Sequence, residues 1–361
     1  MSDLPSRSFC STVVDRLLAW YDQGHRTLPW RAEPHEIPNP YHVWLSEVML
    51  QQTTVSVVKP YFHTFITRWP TLTDLAQATL EDVLAAWAGL GYYARARNLH
   101  ECAQKVVSMG DGTFPTDTHA LQRLPGIGAY TAAAMTAIAF GHRAVAVDGN
   151  IERVIARLFA VTDFLPAARS HIRILADALT PEDRCGDFIQ AAMDLGATLC
   201  TPRQPACMLC PLQRECAGFQ QGLATTLPAR AGQSPRPMHY GMAFFVLRKD
   251  GAVLLRRRPP KGLLGGMMEV PSTPWRDESW TLEEAVAAAA PLSLEWHPLP
   301  GTIRHVFTHF RLDMRVVMGE AGSNPAVRGI WSALDRMDEQ ALPSVMRKIL
   351  VHAIRFGMRS S

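Results

Sequence analysis

Leu124-Pro125-Gly126-Ile127-Gly128-Ala129-Tyr130, followed twenty residues beyond Gly128 by Asp148-Gly149-Asn150, are the strings that decide how this chain folds. The first lies between a short helix predicted to open near Asp117 and a helix of small residues predicted over 130–140. Two glycines let the backbone turn tightly and bring bare amides to the start of the second helix, where N–H groups and the helix dipole attract a phosphate. Taken alone, such a turn is equally an ordinary helix–helix connection. Asp148 follows the apolar stretch 144–147 and precedes a helix predicted over 151–160, so its simplest role is an N-cap.

Outward from the hairpin, residues 12–219 read as almost wholly helical, with apolar spacing such as Val13, Val14, Leu17, Leu18 and Tyr21 broken by short Pro/Gly turns. A helix predicted over 41–53 carries Val43-Trp44-Leu45-Ser46-Glu47-Val48-Met49-Leu50-Gln51-Gln52-Thr53. There Glu47 is bracketed by Val43 and Leu50 on one face. A lone carboxylate in apolar company has a raised pKa and can hold a proton near neutrality. From periodicity alone, a solvated helix-surface glutamate is the alternative.

The chain has 361 residues, 47% of them apolar, which exceeds the roughly 250–300 residues at which single cores tend to split. Residues 222–237 shift to Ala, Pro, Arg, Gly and Ser without periodicity and read as an exposed linker. The expected division is therefore a helical domain over 1–222, a linker over 223–238 and a second domain over 239–361. In the last, residues 242–247 and 253–258 flank the hairpin signal Asp250-Gly251, residues 306–318 read as a further strand, and 282–290 and 344–356 read as helices, making it mixed α/β. Residues 1–225 hold 18 Lys+Arg against 21 Asp+Glu, and residues 226–361 hold 18 against 12. No strong basic footprint falls on the first domain, so any grip on nucleic acid there must come from local geometry. The opening residues lack an apolar leader and no run approaches a membrane span of roughly 18 residues, so no membrane association is expected and a cytoplasmic protein is.

Four of the seven cysteines, Cys200, Cys207, Cys210 and Cys216, have six, two and five residues between them, with Pro202, Pro205 and Pro211 stiffening the loop. Four convergent thiolates satisfy a tetrahedral zinc or a four-iron cluster. Structural zinc usually comes as two close-spaced pairs and only Cys207 with Cys210 is one, which favours iron–sulfur. Cys10, Cys102 and Cys185 have no partner spacing and read as buried or incidental thiols.

Together, these strings resemble the MutY-type adenine DNA glycosylases of the helix-hairpin-helix, iron–sulfur base-excision repair family. The match extends to Leu28-Pro29-Trp30-Arg31, to 89–97 (Gly-Leu-Gly-Tyr-Tyr-Ala-Arg-Ala-Arg), and to Ala192-Met193-Asp194-Leu195-Gly196 ahead of the cysteine loop, so it covers the whole first domain. The resemblance implies an all-α helix-hairpin-helix glycosylase domain with a [4Fe-4S] cluster on the four cysteines, joined to an α/β Nudix-like domain. It implies double-stranded DNA carrying adenine opposite 8-oxoguanine or guanine as the partner, and a monomer acting in the bacterial cytosol or nucleoid.

By the same resemblance Glu47 protonates adenine at N7, and Asp148 faces the sugar and stabilises an oxocarbenium-like transition state. Tyr130 and Asn150 complete the catalytic group. Endonuclease III-like relatives have a lysine where this chain has Tyr130, and a phenol cannot form their Schiff base, so an intact strand with an abasic site is the expected product. Trp30, Arg31, Leu50 and Asp194 are implied for the adenine pocket, Gln52 and Tyr92 for probing or wedging the duplex during base flipping, and Gly126 and Gly128 for the DNA backbone. The family reads 8-oxoguanine with a Phe-Ser-His loop. Here it is Phe307-Thr308-His309, which retains a hydroxyl and adds a methyl. No Arg-Glu-x-x-Glu-Glu run follows residues 262–266, so pyrophosphate hydrolysis is not expected. The rivals are an endonuclease III-like glycosylase-lyase, disfavoured by Tyr130, and a noncatalytic lesion-binding module, disfavoured by the pair Glu47 and Asp148.

Overall fold

In the first half of the chain, several helices begin where the sequence supplies a side-chain cap. In the computed structural model, which describes residues 4–33, 36–232, 235–323 and 325–357, α1 (Arg7–Gly24) is capped by the Ser6 hydroxyl, and α2 (Pro40–Leu50) by Asn39 with Pro40 in its first turn. Then come α3 (Val55–Arg68), α4 (Leu72–Gln77), α5 (Leu80–Trp87), α6 (Ala94–Ser108), α7 (Thr118–Gln122), α8 (Ala129–Ile138), α9 (Gly149–Leu158), α10 (Arg169–Leu179), α11 (Cys185–Thr198) and α12 (Ala217–Gln220). Asp117 caps α7 and Asp148 caps α9, as the sequence predicts. Helix α2 ends earlier than expected: Gln52 lies beyond it with φ 59°, in the left-handed region. Among the described residues, no helix is long and apolar enough to cross a membrane.

Proximity along the backbone divides the chain into Met1–Gln77 with Glu101–Gln233, and Ala78–His100 with Ser234–Ser361. The segment 78–100 thus groups with the second unit, whereas the sequence places it in the helical domain. Contacts inside that unit account for the difference: Arg97 Nη1 donates to the Gly265 carbonyl, and Arg257 pairs with Glu81 at 3.4 Å.

In the helical unit, α1, α8, α9, α10 and α11 share one apolar core that includes Leu17, Ala134, Ile155, Leu175 and Leu195. Gly196 is required at one crossing, because a Cβ there would stand 2.6 Å from Asn150 Cβ. Its absence lets α11 press against the start of α9. The exposed linker expected over 223–238 is corrected in its first part: Ala224 and Leu227 are buried, the Leu227 carbonyl accepts from Arg157 Nε at 2.9 Å, and Leu165 N donates to the Ala229 carbonyl at 2.9 Å. These bonds satisfy backbone groups that periodicity cannot see.

The second unit is built on a mixed sheet: β1 (Met238–Arg248), β2 (Ala252–Arg257), β3 (Met268–Glu269), β4 (His297–Pro298), β5 (Ile303–Val306), β6 (Arg311–Ala321) and β7 (Ile330–Ala333). Its order is β3-β2-β1-β6-β4, with β5 on β6 and β7 on β2; β1 and β6 run parallel and the other pairs antiparallel. Helices α13 (Leu282–Ala289) and α14 (Ser344–Gly357) complete the unit. The single strand expected over 306–318 is instead β5, a turn and β6, closed by Phe307 N donating to the Phe310 carbonyl at 2.9 Å. The Phe307 and Phe310 rings stack at 4.7 Å, which brings the chain back on itself and leaves Thr308 and His309 at an exposed tip.

Candidate active site

Helix α2 is buried at Tyr41 and from Val43 to Met49, so Glu47 sits among apolar groups and is only 8% exposed. Burial pushes its carboxyl up to about 7, and the Asp148 charge adds to that; a hydrogen bond from the Tyr130 hydroxyl and the Arg31 charge act the other way. Tyr130 is brought in by the first turn of α8, and its phenol is raised well above its ordinary value by burial and by Glu47, so it stays a donor. Asp148 Oδ1 accepts from Asn150 N at 3.0 Å and Ile151 N at 2.7 Å, and Oδ2 accepts from Asn150 Nδ2 at 2.9 Å. Burial raises the Asp148 carboxyl, and these hydrogen bonds counter it by favouring the anion. Asn150 is held in turn by Arg153 Nη2 at 2.9 Å, and the same guanidinium donates to the carbonyls of Gly196 and Cys200.

Glu47 opens into a cavity walled by Trp30, Arg31, Leu50 and Ile138, and also by Arg26, Gln190 and Met193. Behind that wall Asp194, 1% exposed, accepts both arms of the Arg31 fork at 2.7 Å each, Arg26 Nε at 2.6 Å and Arg26 N at 3.1 Å. Burial opposes the Asp194 anion, but the Arg31 fork and Arg26 outweigh it and hold the carboxyl below its usual range. Asp194 is therefore the anchor of the arginines rather than part of the wall. Asp194→Asn should cost about 3–5 kcal/mol of unfolding free energy, because it leaves buried guanidinium charge uncompensated. The loss should be full above the usual carboxylate range and should vanish as pH falls through the lowered pKa. Urea denaturation across pH checks this, and an unchanged midpoint at neutral pH would contradict it.

The hairpin is exposed at Gly126 and Gly128 and anchored by buried Ile127. Gly126 has φ 74°, and no side chain caps the first amides of α8. The four cysteines line one cavity with Arg157, Leu199 and Phe219. Arg157, 1% exposed, donates to Cys200 Sγ at 3.2 Å and to the Thr201 and Pro202 carbonyls, which pins the loop. Burial, with the neighbouring thiolates, pushes Cys210 up to about 12. Among the described residues, no three His, Cys, Asp or Glu side chains gather on a single ion position. Cys102 and Cys185 are buried elsewhere.

Residues 45–178 match the family model described as HhH-GPD superfamily base excision DNA repair protein, and residues 242–352 match the NUDIX domain. The mouse adenine DNA glycosylase is 36% identical over 92% of this chain and 76% of its own length. That of Buchnera aphidicola subsp. Acyrthosiphon pisum is 37% identical over 92% of this chain and 95% of its own. The chain belongs to the adenine DNA glycosylases. A solved thermostable thymine-DNA glycosylase is similar over 59% of this chain and 98% of its own, with TM-score 0.53 and 29% identity. The helical unit of an adenine DNA glycosylase therefore shares its frame with glycosylases of other base specificity.

Within this adenine DNA glycosylase, the resemblance singled out Glu47, Tyr130, Asp148, Asn150, Trp30, Arg31 and Leu50; Trp30, Arg31, Glu47 and Leu50 line one cavity, and Tyr130 and Asp148 act on Glu47. Arg26 and Gln190 were missed. Arg26 lies five residues before Arg31, and Gln190 lies one helical turn before Asp194 on α11, so spacing offered a signal. Gln52 is exposed and Tyr92 is 45% exposed with φ 48°. In the second unit the Tyr92 hydroxyl is hydrogen-bonded to Thr308 Oγ1.

Proposed function

We propose that this chain hydrolyses the N-glycosidic bond of adenine opposite 8-oxoguanine or guanine in duplex DNA and leaves an intact strand with an abasic site. The observation that carries the proposal is buried Glu47, with its pKa near 7, hydrogen-bonded to Tyr130 beside Asp148 and opening into a cavity walled by Trp30, Leu50 and Arg31. The flipped base enters against Trp30, Leu50 and Arg31. Glu47 delivers its proton to N7, the bond between N9 and C1′ breaks, and the electron pair leaves with the base. Asp148 faces the cationic sugar, with Asn150 fixing its carboxylate, and water adds at C1′ while its proton passes to the Glu47 carboxylate, which completes the hydrolysis and restores the acid. The amides of Gly126 and Gly128, in the turn that leads into α8, take a backbone phosphate. Gln52 and Tyr92 support the emptied stack.

Four half-buried thiols around one cavity fit an iron–sulfur group, because four thiolates this close repel one another and coexist only with cationic charge among them. Cys200, Cys207, Cys210 and Cys216 would hold a [4Fe-4S] cluster, which supplies that charge and fastens the loop. Iron and sulfide near four each per chain are expected, and stoichiometric zinc instead would overturn the assignment. The same proposal covers action as a monomer in the bacterial cytosol.

Single-turnover excision from duplexes with adenine opposite 8-oxoguanine, with and without alkali, tests the reaction. Strand breaks should appear only after alkali. Borohydride trapping of a protein–DNA adduct would refute a monofunctional mechanism. Phe307, Thr308 and His309 are proposed to read the opposite base. A Thr308→Ala, His309→Ala variant should lose preference for adenine opposite 8-oxoguanine over guanine by roughly ten- to a hundredfold, the worth of a good base contact. Equal loss on both duplexes would reduce the loop to a backbone grip.

A further inference from the structure

We infer that Trp275 is a positioning residue for the Thr308–His309 tip, acting through a stack of side chains that begins at the buried carboxylate of Glu269; this rests on the proposal that the tip reads the base. Glu269, 2% exposed on β3, pairs with Arg256 Nε at 2.6 Å and with Arg258 Nη1. So fixed, the Arg258 guanidinium lies over the Trp275 ring, 5.4 Å from its centroid. Trp275 also meets both aromatic residues that flank the tip: Phe307 at 5.5 Å and Phe310 at 6.2 Å between centroids. His239 stands edge-on to Phe310 at 4.7 Å, and His305 meets Phe307 at 4.6 Å.

The seat of Trp275 is itself built. Tyr240 and Arg276 exchange backbone hydrogen bonds at 2.7 and 3.1 Å, which fastens the residue next to Trp275 onto β1. Gly241 clears the space: a Cβ there would stand 2.8 Å from Trp275 Cδ1 and 2.5 Å from Met314 Sδ. Trp275 Nε1 is buried without a hydrogen-bond partner, so the ring is held for its shape and π face rather than for its N–H. Thr308 and His309 are exposed, and Thr308 is tied at its hydroxyl to Tyr92 and at its carbonyl to Arg236 Nε at 3.0 Å. Those bonds fix Thr308 at its own atoms; the course of the turn that carries it is framed by the stacked Phe307 and Phe310, and both rings rest on Trp275. A polar contact to a base gains discrimination only when its donor is already placed.

The test is a set of variants on the full chain. Trp275→Leu should lower the preference for adenine opposite 8-oxoguanine over guanine by about tenfold, through weaker affinity for the 8-oxoguanine duplex, with the single-turnover rate at saturation unchanged. Amide exchange at Phe307, whose N–H closes the turn, should quicken. Trp275→Phe, which keeps a ring, should retain most of both properties. Arg258→Lys keeps the charge at Glu269 but loses the planar face; it should move both readouts the same way by less, and it serves if Trp275→Leu does not fold. In the Thr308→Ala, His309→Ala background, Trp275→Leu should cost no further preference. Unchanged exchange at Phe307 overturns the positioning role whatever the tip does. Quicker exchange with preference intact overturns its link to specificity. In that case a double variant that still loses preference leaves the reading of the tip standing, and one that does not shows that this reading failed.

Discussion

Glu47→Gln is expected to lose excision by about 10²–10⁴-fold or more in single turnover while binding the mispaired duplex almost as the parent does. An amide fills the same buried space and still accepts the Tyr130 hydroxyl, but it has no proton to give. The parent's own pH profile should carry the same signature. The acid form of Glu47 is the active one, so the rate should fall as pH rises through about 7. A flat profile between about pH 6 and about pH 9 would remove Glu47 from the proton transfer.

Glu47→Gln should move stability in the opposite direction to activity. Glu47 keeps a proton when folded that the unfolded chain releases above the ordinary glutamate value of 4.5. The folded state therefore loses stability as pH rises from there to about 7, by on the order of 3 kcal/mol, and gains none back above it. Removing the ionisable group should make Glu47→Gln more stable than the parent at alkaline pH and no different at acid pH. A catalyst that gains stability when its acid is deleted holds that acid in an unfavourable place for its chemistry.

Asp148→Asn is expected to slow excision by about 10²–10³-fold, with folding close to that of the parent. The substitution separates two roles that fall on one side chain. Asparagine is as good an N-cap as aspartate, so the bonds from the Asn150 and Ile151 amides to Oδ1 survive and α9 still starts where it does. The negative charge is lost, and with it the partner for positive charge developing on the sugar. An unchanged single-turnover rate would leave Asp148 with capping alone. A large drop in the unfolding midpoint would show instead that the Asn150 Nδ2 bond to Oδ2, which an amide nitrogen cannot accept, matters more to the fold than to the reaction.

Local signals carried much of this molecule. Asp117 and Asp148 cap the helices they precede because a cap needs only neighbouring amides. The Asp250-Gly251 pair turns β1 into β2 for the same reason. The cysteine spacing and the Gly-x-Gly turn are likewise short-range chemistry, and they placed the cysteine loop and the hairpin before any fold was known. Where a neighbour is distant, the sequence was silent. Arg26 and Asp194 are 168 residues apart, and nothing in either string names the other. Residues 306–318 alternate like one strand, but ring stacking between Phe307 and Phe310 breaks them into two.

The sequence by itself determined the helical half, the mixed α/β half and the cysteine loop, because caps, turns, periodicity and ligand spacing act within a few residues; Glu47, Tyr130 and Asp148 were singled out by the family resemblance. Only the tertiary structure decided that Asp194 anchors two arginines behind the cavity, that residues 78–100 pack with the α/β unit, and that Tyr92 meets Thr308 across 216 residues of chain. Those pairings follow from burial and from the need to satisfy charge and hydrogen bonds once water is excluded, conditions that exist only after the chain has closed on itself.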